Sequence, residues 1–429
     1  MKRARLLVLA STVSMMGWGA ILPYQYAYAA HTRHWGVLVA AAASSLFSIG
    51  ALVAAPIGGR LADRFNPAGV VVVAQIIAAV ASACLIVAGT PVLFLLAMFV
   101  FGAGITAAIP VETILVLRWV KAAQRRQVFA LLSTGSAIGM AIGAFTAGYL
   151  VNLKVTDGMW PAFATAAVGF LISATMIGIA GRGATKDEAP ALQDVPAGSA
   201  GAAIRIIVAT PVLRWTAVIT VTLALGFYAQ FESGLPAYAI TVLGVSERTI
   251  GTAAAVNCLV IVALQMAVMK WTAKRSSSSL LVVVGSIWVF SWLLLAAASF
   301  MPALAGAMFV GVYGVFAVGE TMYAPVLNPL TASLAPPGMV ATTLGLFAAL
   351  QTGVSAAGPL LAGVALSTGR GSLFVAVHVG ISLIAVLAAL RLRLLLKRSP
   401  ATRPDAIKTS PEELADQEGL PDRRLPQAA

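Results

Sequence analysis

Three carboxylates stand where water is scarce. Glu112, Glu232 and Glu320 each lie inside a long apolar run, and no Lys or Arg lies deep in any such run. An ionised carboxylate taken out of water is costly, so acids inside such runs are rare unless they are functional. Desolvation favours the neutral acid and a nearby cation favours the charged one, so a buried acid can exchange a proton for a cation. Three acids with no buried base therefore favour a cationic or neutral ligand, with protons as the exchanged ion. A free anion would meet only repulsion. Depth separates the three. Glu112 is six residues before Arg118, about 9 Å of helix rise from the edge of its run, and Glu320 holds the matching place in a later run. Glu232 sits near the opposite edge of its run, in Tyr228-Ala229-Gln230-Phe231-Glu232 just before Pro236. For Glu112 and Glu320 a gate and a proton site are equal readings; Glu232 is read as a proton or cation site.

Polar neighbours in the runs are Tyr24, Gln25 and Tyr26, then Gln230, Asn257 and Gln265. They are candidates to line a cavity, with interhelical hydrogen bonding as the alternative for each. Trp18, Trp288, Trp292 and Met16 read as packing or interface residues, and the lone His378 as structural. An enzyme would need paired acids for metal-phosphate work or a nucleophile beside a base. No Asp-x-x-Asp pair, His cluster or phosphate loop occurs in any run or inner loop. Cys84 and Cys258 are far apart, without metal or redox spacing. No enzyme activity, cofactor or metal is expected; a polytopic membrane enzyme is the remote alternative.

The elements that must position these residues follow from composition. Of 429 residues, 60% are hydrophobic and 10% charged, unlike any soluble domain of this size. A bilayer-crossing helix needs about 20 apolar residues, and twelve runs qualify. They are 6–30, 35–57, 70–89, 92–117, 128–150, 159–181, 213–239, 249–269, 280–300, 303–327, 343–366 and 373–396. The first could instead be a signal peptide, since Ala27-Tyr28-Ala29 fits a cleavage site, but its length and its Gly17, Gly19, Pro23 and Gln25 favour an uncleaved span. Arg182 to Pro211 reads as a solvated linker with a short surface helix over Ala202 to Ala209. Asn328 to Thr342 reads as a polar inner loop, and the tail from Lys397 as disordered. The domains are then 1–181, a first six-helix half; 182–211, a linker; 212–396, a second half; and 397–429, the tail. The net charge of +13 does not point to nucleic acid, because no basic stripe carries interleaved aromatics. With both termini inside, inner segments hold 24 of the 28 Lys and Arg, as the positive-inside rule requires. The expected setting is the cytoplasmic membrane of the cell, multi-pass, as a monomer in the lipid bilayer.

The chain also repeats itself. Met98-Phe99-Val100 with Gly104 returns as Met308-Phe309-Val310 with Gly314, and Glu112-Thr113 as Glu320-Thr321. Leu22-Pro23 returns as Leu235-Pro236, Arg60 and Arg64 as Lys270 and Lys274, and Thr134-Gly135 as Thr352-Gly353. Five matches in one order at similar offsets imply two parallel halves, with a ligand site near the midplane between them.

The stretch Gly58 to Gly69, GGRLADRFNPAG, is read as a short charged loop after the second run, where two glycines let the backbone turn and Asn66-Pro67 ends the turn. It resembles the loop signature of the major facilitator superfamily, Gly-x-Leu-Ala-Asp-Arg-x-Gly followed by two basic residues. Gly59, Leu61, Ala62, Asp63 and Arg64 match; Asn66 replaces the later Gly, and Pro67 and Ala68 the basic pair. The resemblance covers residues 1 to 397. It implies an all-α fold of twelve transmembrane helices in two six-helix halves, moving a small-molecule substrate by alternating access. It also implies that Asp63 docks against the other half near the start of the eleventh run; Arg118, at the inner end of the fourth run, is a separate candidate partner. In the fifth run, Gly135, Gly139 and Gly143 resemble the antiporter signature Gly-x-x-x-Gly-Pro-x-x-Gly-Gly of drug:proton exporters, with Met140 for Pro and Ala144 for the last Gly. Gly358-Pro359 and Ala362-Gly363 carry a similar pattern in the eleventh run. Ordinary close packing is the alternative, since small residues every fourth position let helices approach. An Arg that this branch carries four residues before a Gly in the fourth run is replaced by Met98. The resemblance implies proton-coupled efflux of small amphipathic or cationic compounds; proton-coupled import of a small metabolite is the alternative.

Overall fold

The computed structural model describes residues 2–182, 200–272, 275–336, 339–367 and 369–398. Most of the linker and nearly all of the tail lie outside them. Twelve helices are long and apolar enough to cross a membrane. In chain order the helices are α1 (Lys2–Ala27), α2 (Val37–Arg64), α3 (Pro67–Ile86), α4 (Pro91–Trp119), α5 (Ala122–Leu150), α6 (Trp160–Gly181), α7 (Ala200–Ala209), α8 (Pro211–Leu223), α9 (Ala229–Phe231), α10 (Gly234–Thr241), α11 (Glu247–Thr272), α12 (Ser277–Ala298), α13 (Ala305–Leu334), α14 (Val340–Ser367) and α15 (Gly371–Arg398). No strand occurs among the described residues. The short helix α7 stands where the sequence places one.

Two expected loops are helical. The stretch Gly58 to Arg64 continues α2, and only Phe65 and Asn66 separate it from α3. Gly58 is there for contact and not for a turn: a Cβ on it would run into the Ala107 carbonyl of α4. Asn66 and Pro67 start a helix instead of ending a turn. The Asn66 side chain accepts a hydrogen bond from the Ala68 N–H at 3.0 Å, and Pro67 takes the first helical position, where a missing N–H costs nothing. Asp63 is in the last turn of α2, and its side chain lies outside the description. Likewise Asn328 to Leu334 is the end of α13, which contains Pro325 and Pro329.

Lipid offers no hydrophobic drive between helices, so assembly rests on close packing and hydrogen bonds. The sequence supplies glycine for it. Between α2 and α4 the contact is reciprocal: a Cβ on Gly50 would meet the Phe99 carbonyl, and one on Gly102 the Phe47 carbonyl. Between α1 and α5, a Cβ on Gly19 would strike the Met140 carbonyl, on Gly139 the Thr12 carbonyl, and on Gly143 the Met16 carbonyl. The glycines that resemble an antiporter signature are thus the packing seam of α1 and α5.

Within the first half, α1 packs on α5 and α6, α2 on α4, and α3 on α4 and α6; within the second, α11 packs on α13, and α12 on α13 and α15. The halves meet along α2 with α14 and along α5 with α11. With an even number of spans, Lys2 and Arg398 share one face of the molecule, here called the terminal face. At the far face the halves are tied. The Tyr24 hydroxyl donates to the Ala144 carbonyl at 2.5 Å and reaches the Glu247 carbonyl at 3.5 Å. The Leu153 N–H donates to Glu247 Oε1 at 3.2 Å. Along α14, Gly363 lies against Ala41 near the far face, while Gly345 near the terminal face has open space beside it.

Candidate functional site

The seventh run is the least regular of the twelve, and it carries Glu232. The sequence reads it as one span, but the structure breaks it into pieces. After α8 comes a π-helical turn, Ala224–Tyr228, then the single turn α9, then Glu232 and Ser233 in a break before α10. The break lets Glu232 leave the helix line. π turns inside α-helices are rare and recur at functional sites.

Its carboxylate is held across the interface of the halves. Trp18 Nε1, on α1, donates to Glu232 Oε1 at 2.7 Å. Trp18 also packs edge-on against Phe47 of α2, with ring centroids 5.2 Å apart. Trp18, read from the sequence as a packing or interface residue, does pack, and in addition holds Glu232 across the halves. An indole can only donate a hydrogen bond, and its position eleven residues after Leu7 on a mostly apolar run gave no sign of an acidic partner.

Glu232 and Glu320 line one cavity of about 510 Å³ between the halves. It is walled by Leu22, Gln25, Ser44, Phe47 and Met140 on one side and by Phe227, Tyr228, Phe231, Gln351 and Pro359 on the other. Many of its residues fall near the middle of their helices, such as Ala51 in α2, Thr106 in α4 and Thr352 in α14. The cavity is thus at mid-depth. No Lys, Arg or His is among its described lining residues. A second cavity of about 110 Å³ adjoins it, lined by Gly19, Asn257, Cys258 and again by Glu232 and Glu320.

The depth expected of Glu320 is corrected. Because α13 runs on to Leu334, Glu320 lies fourteen residues from the helix end, about 21 Å of rise, which is mid-span. Asn257 of α11 lines the smaller cavity beside it, and Glu320 Oε2 is buried with no hydrogen-bond partner among the described residues. Glu112, its counterpart in the repeat, lines neither cavity. It is buried inside the first half.

The other expected residues divide as follows. Gln25 lines the larger cavity, and its amide donates to the Ser44 hydroxyl. Asn257 lines the smaller one and donates to the Tyr313 carbonyl at 3.2 Å. Tyr24 lines neither and belongs to the far-face tie. Gln230 is fully buried and donates to the Gly358 carbonyl at 3.0 Å, away from both cavities. Gln265 is exposed on the surface of α11. These five line a cavity or not according to helical face, which sequence in an apolar run does not reveal. Trp288 and Trp292 are fully buried packing residues. His378 stacks on Trp292 at 4.5 Å and bonds its own helix at the Phe374 carbonyl. Arg118 Nε is buried without a partner among the described residues, so its expected pairing with Asp63 lies outside the description. Among the described residues no group of three or more His, Cys, Asp or Glu could hold a metal.

Comparison with known proteins agrees with this architecture. The chain is similar to the nucleoside transporter NupG, with a TM-score of 0.71 at 13% identity over 92% of this chain and 99% of that one. It is similar to a POT family transporter solved with a thioalcohol-conjugated peptide, with a TM-score of 0.72 at 14% identity over 91% and 95%. A bacterial homolog of the human lysosomal transporter Spinster, inward-facing and unoccupied, gives 0.66 at 17% over 93% and 98%. At these identities the likeness is one of fold. No curated protein matches the sequence significantly. The family model for the Major Facilitator Superfamily matches residues 7–359. With twelve spanning helices, a midplane cavity between paired halves and that match over most of its length, the chain belongs to the major facilitator superfamily.

Proposed function

We propose that this multi-pass membrane transporter is a proton-coupled exporter of small amphipathic or cationic compounds, in the manner of the drug:proton antiporter branch. The observation that carries the reading is the pair Glu232 and Glu320 in one mid-depth cavity whose described lining holds no basic residue. A cation and a proton both neutralise a carboxylate there, and a site that holds one disfavours the other. Antiport follows from that competition, without a separate coupling device. The aromatic walls supply the amphipathic part of the selectivity. Glu112 has no share in the cavity and is left with the gate role.

The test is transport in liposomes with an imposed pH gradient and a fluorescent organic cation. The expected result is cation movement opposite to protons, abolished when the gradient is collapsed. Movement in the same direction as protons would favour the second reading, import of a small metabolite, for which the likeness to nucleoside and peptide transporters is the support.

The orientation belongs to the same proposal: monomer, cytoplasmic membrane, both termini and the linker in the cytoplasm. Its support is the split of 24 to 4 basic residues between the two faces. A reporter active only outside the cell and fused after Lys397 is expected to stay silent; activity there would invert the topology.

A further inference from the structure

A groove of about 390 Å³ runs between α3 and α6 of the first half, apart from the two cavities between the halves. Val72 and Ile76 of α3 and Leu171, Ala174, Gly178 and Ile179 of α6 line it. Leu171 is 49% exposed and Ile179 50%, so on spans that cross a bilayer the groove opens to lipid. Ala174 and Gly178, one helical turn apart, keep it hollow: a Cβ on Gly178 would find Val72 Cγ2 at 3.8 Å, an ordinary contact. Thr175, the one uncharged polar residue of the lining, donates its hydroxyl to the Leu171 carbonyl at 2.8 Å. The walls therefore offer an occupant little but apolar surface.

The two ends of the groove differ. Leu171 stands at mid-span, and Arg182 closes the end at the terminal face. Arg182 is eleven residues on from Leu171, about 16 Å of helix rise, and a bilayer's hydrocarbon core is about 30 Å thick. The groove is thus as long as one leaflet is deep. Spread over that length, its volume gives a section of about 24 Å², the width of a hydrocarbon chain and far less than a helix about 10 Å across. A second guanidinium stands beside Arg182. Arg3, in the first turn of α1, donates from Nη2 to the Arg182 carbonyl at 3.2 Å. Neither arginine is paired with a carboxylate among the described residues, so each keeps N–H donors for an outside acceptor. Guanidinium groups suit phosphate oxygens in charge and in geometry.

We propose that this groove binds one anionic phospholipid of the terminal-face leaflet, with an acyl chain between α3 and α6 and the headgroup phosphate on Arg182 and Arg3. Apolar depth of one leaflet, chain width and paired cations at headgroup level together select that occupant. The site does not rest on the exporter reading, and either can fail without the other.

The experiment is native mass spectrometry of the purified, delipidated full chain in detergent, titrated with palmitoyl-oleoyl phosphatidylglycerol or with the phosphatidylcholine of the same chains. The expected result is tighter binding of the first phosphatidylglycerol by about fivefold or more. Arg182→Gln with Arg3→Gln should bring the two lipids to equal affinity, whereas Arg391→Gln, at an exposed arginine on α15, should leave the preference intact. Thr175→Phe, a change at an exposed position in the lining, should fill the groove and weaken both lipids. Equal binding of the two lipids to the unaltered chain overturns the proposal. An equal loss of preference in Arg391→Gln overturns it in favour of the general positive charge of that face. Unchanged lipid binding by Thr175→Phe also overturns it, and leaves the groove to a second copy of the chain or another partner.

Discussion

Glu232→Gln should abolish pH-driven export of a cationic dye, with at least a tenfold loss of the gradient-dependent rate. The substitution is close to isosteric. A carboxamide oxygen can still accept the Trp18 N–H, so the cross-half bond at 2.7 Å need not be lost. What the amide cannot do is take up and release a proton. A neutral substrate should therefore still bind, while exchange of a cation for a proton stops. The comparison is with Glu320→Gln and Glu112→Gln in the same assay. Glu320 shares the cavity, so its substitution should weaken cation binding. Glu112 is buried and lines neither cavity, and its substitution should leave dye affinity unchanged. If Glu232→Gln keeps full gradient-driven export while Glu112→Gln loses it, the coupling proton sits in the first half and the assignment of Glu232 is wrong.

The second large effect is expected at the far face. Gly251 of α11 lies where the halves touch: a Cβ there would come within 2.6 Å of the Ala144 carbonyl and 3.0 Å of the Tyr24 hydroxyl. A leucine side chain extends well beyond its Cβ, so Gly251→Leu must push the far-face ends of α5 and α11 apart. Overpacking of this kind costs about 1–3 kcal/mol. The cost falls on the state closed at the far face and not on the state open there. It should shift the balance between them by roughly 5- to 150-fold. Transport should slow by at least tenfold although the substrate cavity itself is unchanged. Cys258, which lines the smaller cavity, gives a direct readout once Cys84 is replaced by Ala. A membrane-impermeant thiol reagent applied at the far face should label Cys258 faster in the Gly251→Leu protein. Unchanged labelling with unchanged turnover would mean that this contact does not control access.

Sequence alone gave the number and order of the spans, because apolar length is a property of composition and needs no contacts. It also picked out all three acids, since charge in an apolar run is visible at once. Its failures share a cause. Gly58 reads as a turn glycine, yet Ala107 of α4 packs closely against it; a glycine reads the same for either purpose until its surroundings are known. The sequence puts Glu320 near an edge because Asn328 to Thr342 reads as a polar loop, whereas α13 runs on to Leu334 and carries Pro325 and Pro329 within it. Prolines are tolerated in membrane helices when neighbours satisfy the freed carbonyls. Trp18 was missed because its partner is 214 residues away, and no local pattern links two halves of a chain. Tyr24 and Gln25 are adjacent, yet one ties the far face and the other faces the cavity; an angle of about 100° between neighbours on a helix separates them.

The π turn at Ala224–Tyr228 has a consequence for reading this chain beside its relatives. A π turn holds one residue more than the α-helix around it needs. A homologous chain without that residue would run through the same region as plain helix, and every later side chain would keep its face, because the wider turn absorbs the extra residue. Its counterpart to Glu232 would still stand before the indole of Trp18, one position earlier in the count. An alignment of this span without a gap at the turn would pair Glu232 with a residue on another face, and would score the acid as missing in proteins that possess it. The position of a single gap thus decides whether two transporters are judged to share this carboxylate.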